Sequence, residues 1–178
     1  MKNLTILAVS GSLRSKSSNT AVLYAAKKLA PGEINIKLYS ELGDLPHFNP
    51  DLDRDILPNL VVSLRKQIAA SDGIIISSPE YAHGVPGSLK NALDWLVSSV
   101  EFPDKPVALI NTSPRATIAL ASLTEILNTM SAQIIKPANI TLDIAGRGLD
   151  TEGIVADPEL SASLKKAIAI FVRAISIE

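Results

Sequence analysis

Leu4-Thr5-Ile6-Leu7-Ala8-Val9-Ser10-Gly11-Ser12-Leu13-Arg14-Ser15-Lys16-Ser17-Ser18-Asn19-Thr20 begins as a short apolar run and breaks abruptly into small polar residues. An apolar run without polar alternation suits a strand buried on both faces, as in a parallel sheet. Beyond the polar stretch, Val22, Ala25, Ala26 and Leu29 recur at helical spacing, and Pro31-Gly32 ends the helix. Strand, glycine-serine loop and helix in this order open a strand–helix–strand unit.

The same alternation continues outward. Ile34–Tyr39 predicts a second strand, and Ser40–Pro58 a long loop carrying Pro46, Pro50 and Pro58. Loops of that length in compact domains are often functional. Leu60, Val61, Leu64 and Ile68 mark a second helix, and Gly73–Ser78 a β-branched central strand. A third helix carries Leu89, Leu93 and Leu96. Pro106–Thr112 predicts the fourth strand. Leu120, Leu123, Leu127 and Met130 mark another helix, and Gln133–Ile135 a short fifth strand. Asn139–Arg147 reads either as an extension of the sheet or as an irregular excursion. Leu160, Leu164, Ile168, Phe171 and Ile175 line an amphipathic C-terminal helix. Right-handed crossovers leave few topologies. The simplest is one α/β domain over residues 1–178, with five parallel strands in the order 2-1-3-4-5 between two helix layers.

Composition narrows the function classes. Of the 178 residues 47% are hydrophobic and 20% charged, and the net charge is -1. That balance, without blocks of like charge, predicts neither a nucleic-acid footprint nor a membrane partner. Cysteine is absent, so disulfides and thiolate chemistry are excluded. The N-terminal apolar run is too short for a signal peptide, and no stretch reaches the ~18 apolar residues of a membrane span. A cytoplasmic setting is the expectation.

In a doubly wound sheet, ligands sit beyond the carboxyl ends of the strands, where strand order reverses. Here that position lies between the loops after the first and third strands. The first loop has two readings. It can be a polar turn with Ser17 or Ser18 as helix N-cap. It can also be a phosphate cradle, built from free amides at the helix start, short hydroxyl and amide side chains, and the planar fork of Arg14. Its place after the first strand favours the cradle. It matches neither G-x-x-x-x-G-K-[ST] nor G-x-G-x-x-G. The second loop, Ser77–Trp95, holds Pro79, Gly84, Pro86 and Gly87 within nine residues. A stiff loop can meet a flat polar ring without an ordering cost. Read on their own, Glu80 is a surface carboxylate or local cap, His83 a loop residue, Trp95 a packing residue, and Lys90 and Asp94 an i,i+4 pair. No second histidine or carboxylate stands at metal-ligand spacing, so no metal is expected.

Gly11-Ser12-Leu13-Arg14 with Ser17 and Asn19 resembles the N-terminal loop of NAD(P)H-dependent FMN reductases. Pro79-Glu80-Tyr81, with Pro86-Gly87-x-Leu89-Lys90-Asn91-Ala92-Leu93-Asp94-Trp95, is similar to that family's second signature. The resemblance runs from the first strand to about Ile135. It implies a flavodoxin-like three-layer fold and non-covalent FMN. By resemblance, Ser12, Arg14, Ser18, Asn19 and Thr20 hold the FMN phosphate. Pro79, Glu80, Tyr81, Ala82, His83 and Gly84 line the isoalloxazine ring, with Ser113 as a contributor near its reduced edge. The family also implies homodimers or homotetramers. Two departures stand out. Ala82 replaces a frequent Asn, and Thr112-Ser113-Pro114-Arg115-Ala116-Thr117 lacks the glycines usual after the fourth strand.

The function implied is hydride transfer from NADPH or NADH to a second small acceptor: a quinone, azo compound, metal oxyanion or free flavin. The cofactor carries the chemistry, so no catalytic acid–base pair is needed, and none is found in the sequence. The alternatives are a non-enzymatic flavodoxin-type electron carrier or a flavin-based sensor. The arginine in the first loop and a pI near 6.1 stand against a carrier.

Overall fold

The computed structural model describes residues 4–176. Met1–Asn3 of the N-terminal stretch, and the last two residues of the expected 1–178 domain, lie outside them. The strands are β1 (Leu4–Ser10), β2 (Ile34–Leu38), β3 (Gly73–Ser77), β4 (Pro106–Asn111), β5 (Gln133–Ile134) and β6 (Ile140–Thr141). The helices are α1 (Ser18–Leu29), α2 (Asn59–Ala69), α3 (Gly87–Asp94), α4 (Ile118–Thr129), α5 (Thr151–Ala156) and α6 (Pro158–Ile175). The sheet order is β2-β1-β3-β4-β5, as the sequence predicts, and every paired strand is parallel.

The expected five strands become six. β5 ends opposite Val107 of β4, and β6 resumes the same edge opposite Ile110 and Asn111. Between them Lys136–Ala138 forms a 3-10 turn around Pro137, a residue with no N–H for a ladder. Asn139 fills the gap, its Oδ1 accepting the N–H of Leu109 at 2.8 Å. A side chain thus replaces one rung of an interrupted strand. The segment 139–147 is therefore both of the alternatives read from its sequence. It is two residues of strand, then an irregular excursion. α5 lacks a helical period in the sequence because it is only six residues long. Asp150 starts it, its Oδ1 accepting the Gly153 N–H at 2.8 Å. Asp157 likewise caps α6 through the N–H groups of Glu159 and Leu160, with Pro158 at the first turn.

Alternate residues of the central strands feed two cores. Ile6, Ala8, Ile75, Ala108 and Ile110 pack with α1, α5 and α6. Leu7, Val9, Ile74, Ile76, Val107 and Leu109 pack with α2, α3 and α4. Both faces of the sheet are covered, which is why the strands read as unbroken apolar runs. Gly73 permits a close approach between the sheet and α6. A Cβ there would lie 2.7 Å from Cζ of Phe171 on α6.

The long loop at 40–58 is tied to α3. The Trp95 indole N–H donates to the Pro46 carbonyl at 2.8 Å. Asn91 donates to the same carbonyl and accepts the Phe48 N–H at 2.7 Å. Phe48 stands edge-on to Trp95 with centroids 5.1 Å apart. Arg65 reaches the Trp95 carbonyl and pairs with Asp53 at 2.9 Å. Lys90 and Asp94 form the expected pair at 2.6 Å. Asn91 and Trp95 in the second signature are thus fasteners for this loop. Among the described residues no helix is long and apolar enough to cross a membrane.

Candidate active site

The loops after β1, β3 and β4 meet at the carboxyl edge of the sheet and enclose a cleft of about 580 Å³. A close contact holds the loop after β1 against the end of β3. The Gly11 N–H donates to the Ser77 carbonyl at 2.8 Å, and a Cβ on Gly11 would lie 2.6 Å from Ser78 Oγ. Glycine is favoured here by proximity between two loops and not by backbone conformation, for Gly11 has no left-handed φ.

Asn19 joins all three loops. It is buried, and its Oδ1 accepts from Ser77 Oγ at 2.9 Å and Thr112 Oγ1 at 3.3 Å. Ser17 is the N-cap of α1, accepting the Thr20 N–H at 3.3 Å. That leaves the first-turn amides of Ser18 and Asn19 without an intrahelical acceptor, at residues that line the cleft. The cap and cradle readings of the loop are therefore compatible. Thr20 turns away, its hydroxyl paired with Ser10 Oγ at 2.8 Å.

Glu80 spans the wall between the second and third loops. Its Oε2 accepts the Ala119 N–H at 2.8 Å, and its Oε1 meets His83 Nδ1 at 2.9 Å. The backbone amide of Ala119 holds this carboxyl below the ordinary glutamate range, with His83 as a smaller contribution. Tyr81 and Gly84 exchange backbone hydrogen bonds at 3.1 and 2.9 Å. The two residues between them, Ala82 and His83, have φ of 49° and 60°. This is a two-residue turn in the left-handed region, built without glycine at either central position.

Of the residues singled out from the sequence, Ser12, Arg14, Ser18, Asn19, Pro79, Glu80, Tyr81 and Ser113 line the cleft. Thr20, Ala82, His83 and Gly84 do not. Thr20 sits beneath the first loop, and the other three form the turn beyond Tyr81. Sequence reasoning left Lys16, Ser78 and the Gly146–Gly148 segment without individual roles, yet each borders the cleft, as does Arg115 of the glycine-free loop after β4. Gly146 and Gly148 both have positive φ, 82° and 67°. Their G-x-G spacing was the available signal for a special turn. The 40–58 loop contributes no lining residue. Among the described residues no group of three or more His, Asp or Glu side chains is placed to hold a metal ion.

The sequence model of NADPH-dependent FMN reductases matches residues 4–146, beyond the Ile135 limit read from the motifs. A quinone reductase of Escherichia coli (strain K12) is 36% identical over 122 residues, covering 66% of this chain. The match spans 63% of that relative's length. An NAD(P)H-dependent FMN reductase of Pseudomonas aeruginosa is 30% identical over 179 residues, covering 96% of each chain. Among solved structures, the flavoenzyme NAD(P)H:(acceptor) oxidoreductase of Paracoccus denitrificans superposes with a TM-score of 0.78 at 30% identity, covering 98% of each chain.

Proposed function

Because the chain belongs to the NADPH-dependent FMN reductase family, we propose that its cleft holds FMN and that the protein is an NAD(P)H-dependent oxidoreductase reducing quinones or similar small acceptors by a ping-pong scheme. The observation that carries this reading is the division of donors within one cleft. Arg14, Lys16, Ser12 and the first turn of α1 occupy its β1 side. This is a donor set for a phosphate dianion without a metal. The side formed by the loops after β3 and β4 offers Pro79, Tyr81, Ser113 and Ala116, together with Glu80, whose carboxylate is bonded to Ala119 and His83, and Arg115. Stiff backbone with polar groups at hand suits a polar ring system.

Bound FMN would supply two-electron chemistry, taking a hydride from NAD(P)H and giving it to an acceptor that enters the same space in turn. The chain's own residues bind and orient. Arg14 and Lys16 neutralise the phosphate. Asn19 keeps the three loops in register. The Tyr81–Gly84 turn presents Tyr81, which is half exposed at the mouth of the cleft. Ala82, His83 and Gly84 act by shaping that turn. Glu80 is engaged on both oxygens, so its role is to join two walls. Homodimers or homotetramers and a cytoplasmic setting complete the proposal.

The test is uptake of FMN by the purified chain, followed by steady-state NAD(P)H oxidation with a quinone. Stoichiometric FMN and sustained turnover support an enzyme. FMN uptake without turnover makes the protein a carrier or sensor. A protein that rejects FMN at high concentration ends the reading.

A further inference from the structure

The charge in the cleft is unbalanced in a way that FMN binding alone does not explain. Four of its lining residues carry formal charge: Arg14, Lys16, Arg115 and Glu80. Glu80 is committed to Ala119 and His83. None of the three cations forms an ion pair among the described residues. Arg14 and Lys16 share the loop after β1, beside the α1 start, and together suffice for a phosphate dianion. Arg115 stands on the loop after β4. β1 and β4 are separated by β3, so their ends lie about 10 Å apart.

The loop carrying Arg115 is fixed. The Arg115 N–H donates to Ser113 Oγ at 3.3 Å, and the Ala116 N–H to the Ser113 carbonyl at 3.1 Å. Asn111 Nδ2 donates to the Ser113 carbonyl at 2.8 Å. Ala116 is buried beneath the turn. Pro114 and Arg115 stand where the family resemblance leads one to expect glycines. The result is an exposed guanidinium without an ion-pair partner, borne on a hydrogen-bonded turn at the border of the cleft.

We propose that Arg115 selects the second ligand of the cleft by donating to an anionic oxygen group on it: a phosphate, sulfonate or carboxylate. This rests on the FMN reading above, which assigns Arg14 and Lys16 to the cofactor. The anion has two possible sources, the 2′-phosphate of NADPH or a charged electron acceptor. Arg115 favours either over its uncharged counterpart, NADH or a neutral quinone.

The test uses FMN-loaded parent, Arg115→Ala and Arg115→Lys. Calorimetric titration with NADP+ and NAD+ reads the nucleotide arm without turnover. Relative kcat/KM for a sulfonated anthraquinone and a neutral quinone reads the acceptor arm. Loss of one charge-assisted contact lowers the anionic-to-neutral ratio about tenfold in Arg115→Ala. Arg115→Lys retains part of that ratio. A fall confined to one arm identifies the source. Unchanged ratios in both arms, with FMN still bound, overturn the proposal. Loss of FMN from Arg115→Ala overturns it too, placing Arg115 in the cofactor cradle. A parent protein that takes up no FMN is a separate outcome. It removes the functional reading, and the proposal with it.

Discussion

Glu80 on the loop after β3 accepts the amide of Ala119, in the first turn of α4, at 2.8 Å. Thr117, the residue before α4, provides no side-chain cap. The helix is therefore capped in trans by a residue 39 positions earlier, and the cap forms one wall of the cleft. The interaction needs a carboxylate beside the positive end of a helix.

Its pH dependence has a defined sign. Glu80 is held below the ordinary glutamate value of 4.5. Its contribution is therefore complete above about pH 4.5 and is lost as pH falls through the lower value reached in the folded state. Glu80→Gln is expected to melt below the parent at pH 7, and the gap is expected to narrow as the pH is lowered progressively below 4.5. Asp157 is also held low by its cap bonds and Arg147, but it titrates in both proteins and cancels in the difference. A gap of constant size across that range would show that the charge on Glu80 does not matter.

Gly11→Ala places a methyl group 2.6 Å from Ser78 Oγ and 3.1 Å from Leu89 Cδ2. Overpacking of this kind costs about 1–3 kcal/mol. Ser78→Ala removes the nearest atom, so the double variant should recover part of the loss in a denaturant-melt cycle. Strict additivity of the two substitutions would refute the contact.

Ala82 holds a left-handed φ of 49° within a two-residue turn. Glycine accepts that conformation without steric cost, and Asn tolerates it better than Ala. Ala82→Gly is expected to raise stability by about 0.5–1 kcal/mol, and Ala82→Val to lower it. The denaturant midpoint at constant slope measures both. A destabilised Ala82→Gly would mean that the turn is not strained.

Arg14 has no ion-pair partner among the described residues and lines the cleft beside the start of α1. Under the proposed function, Arg14→Ala weakens FMN binding about tenfold, the worth of one charge-assisted contact. The absorbance spectrum of the flavin that does bind should stay unchanged. Flavin fluorescence titration provides the measurement. Equal affinity in parent and variant would remove Arg14 from the cradle.

The strand order, the two-layered helix packing and the meeting of the β1 and β3 loops were legible in the residues. Apolar runs such as Leu4–Val9 and Ile74–Ile76 can be satisfied only by burial on both sides, and glycine-serine and proline-glycine segments mark where the chain must turn. Those are local properties, carried by each residue's own chemistry. The tertiary structure alone decided the partners across the chain: Asn139 completing a broken ladder, Glu80 capping α4, Asn19 bonding Ser77 and Thr112, and Thr20 facing Ser10 instead of the cleft. A hydrogen bond between residues tens of positions apart depends on how sheet and helices bring loops together, and no spacing in the sequence encodes that distance.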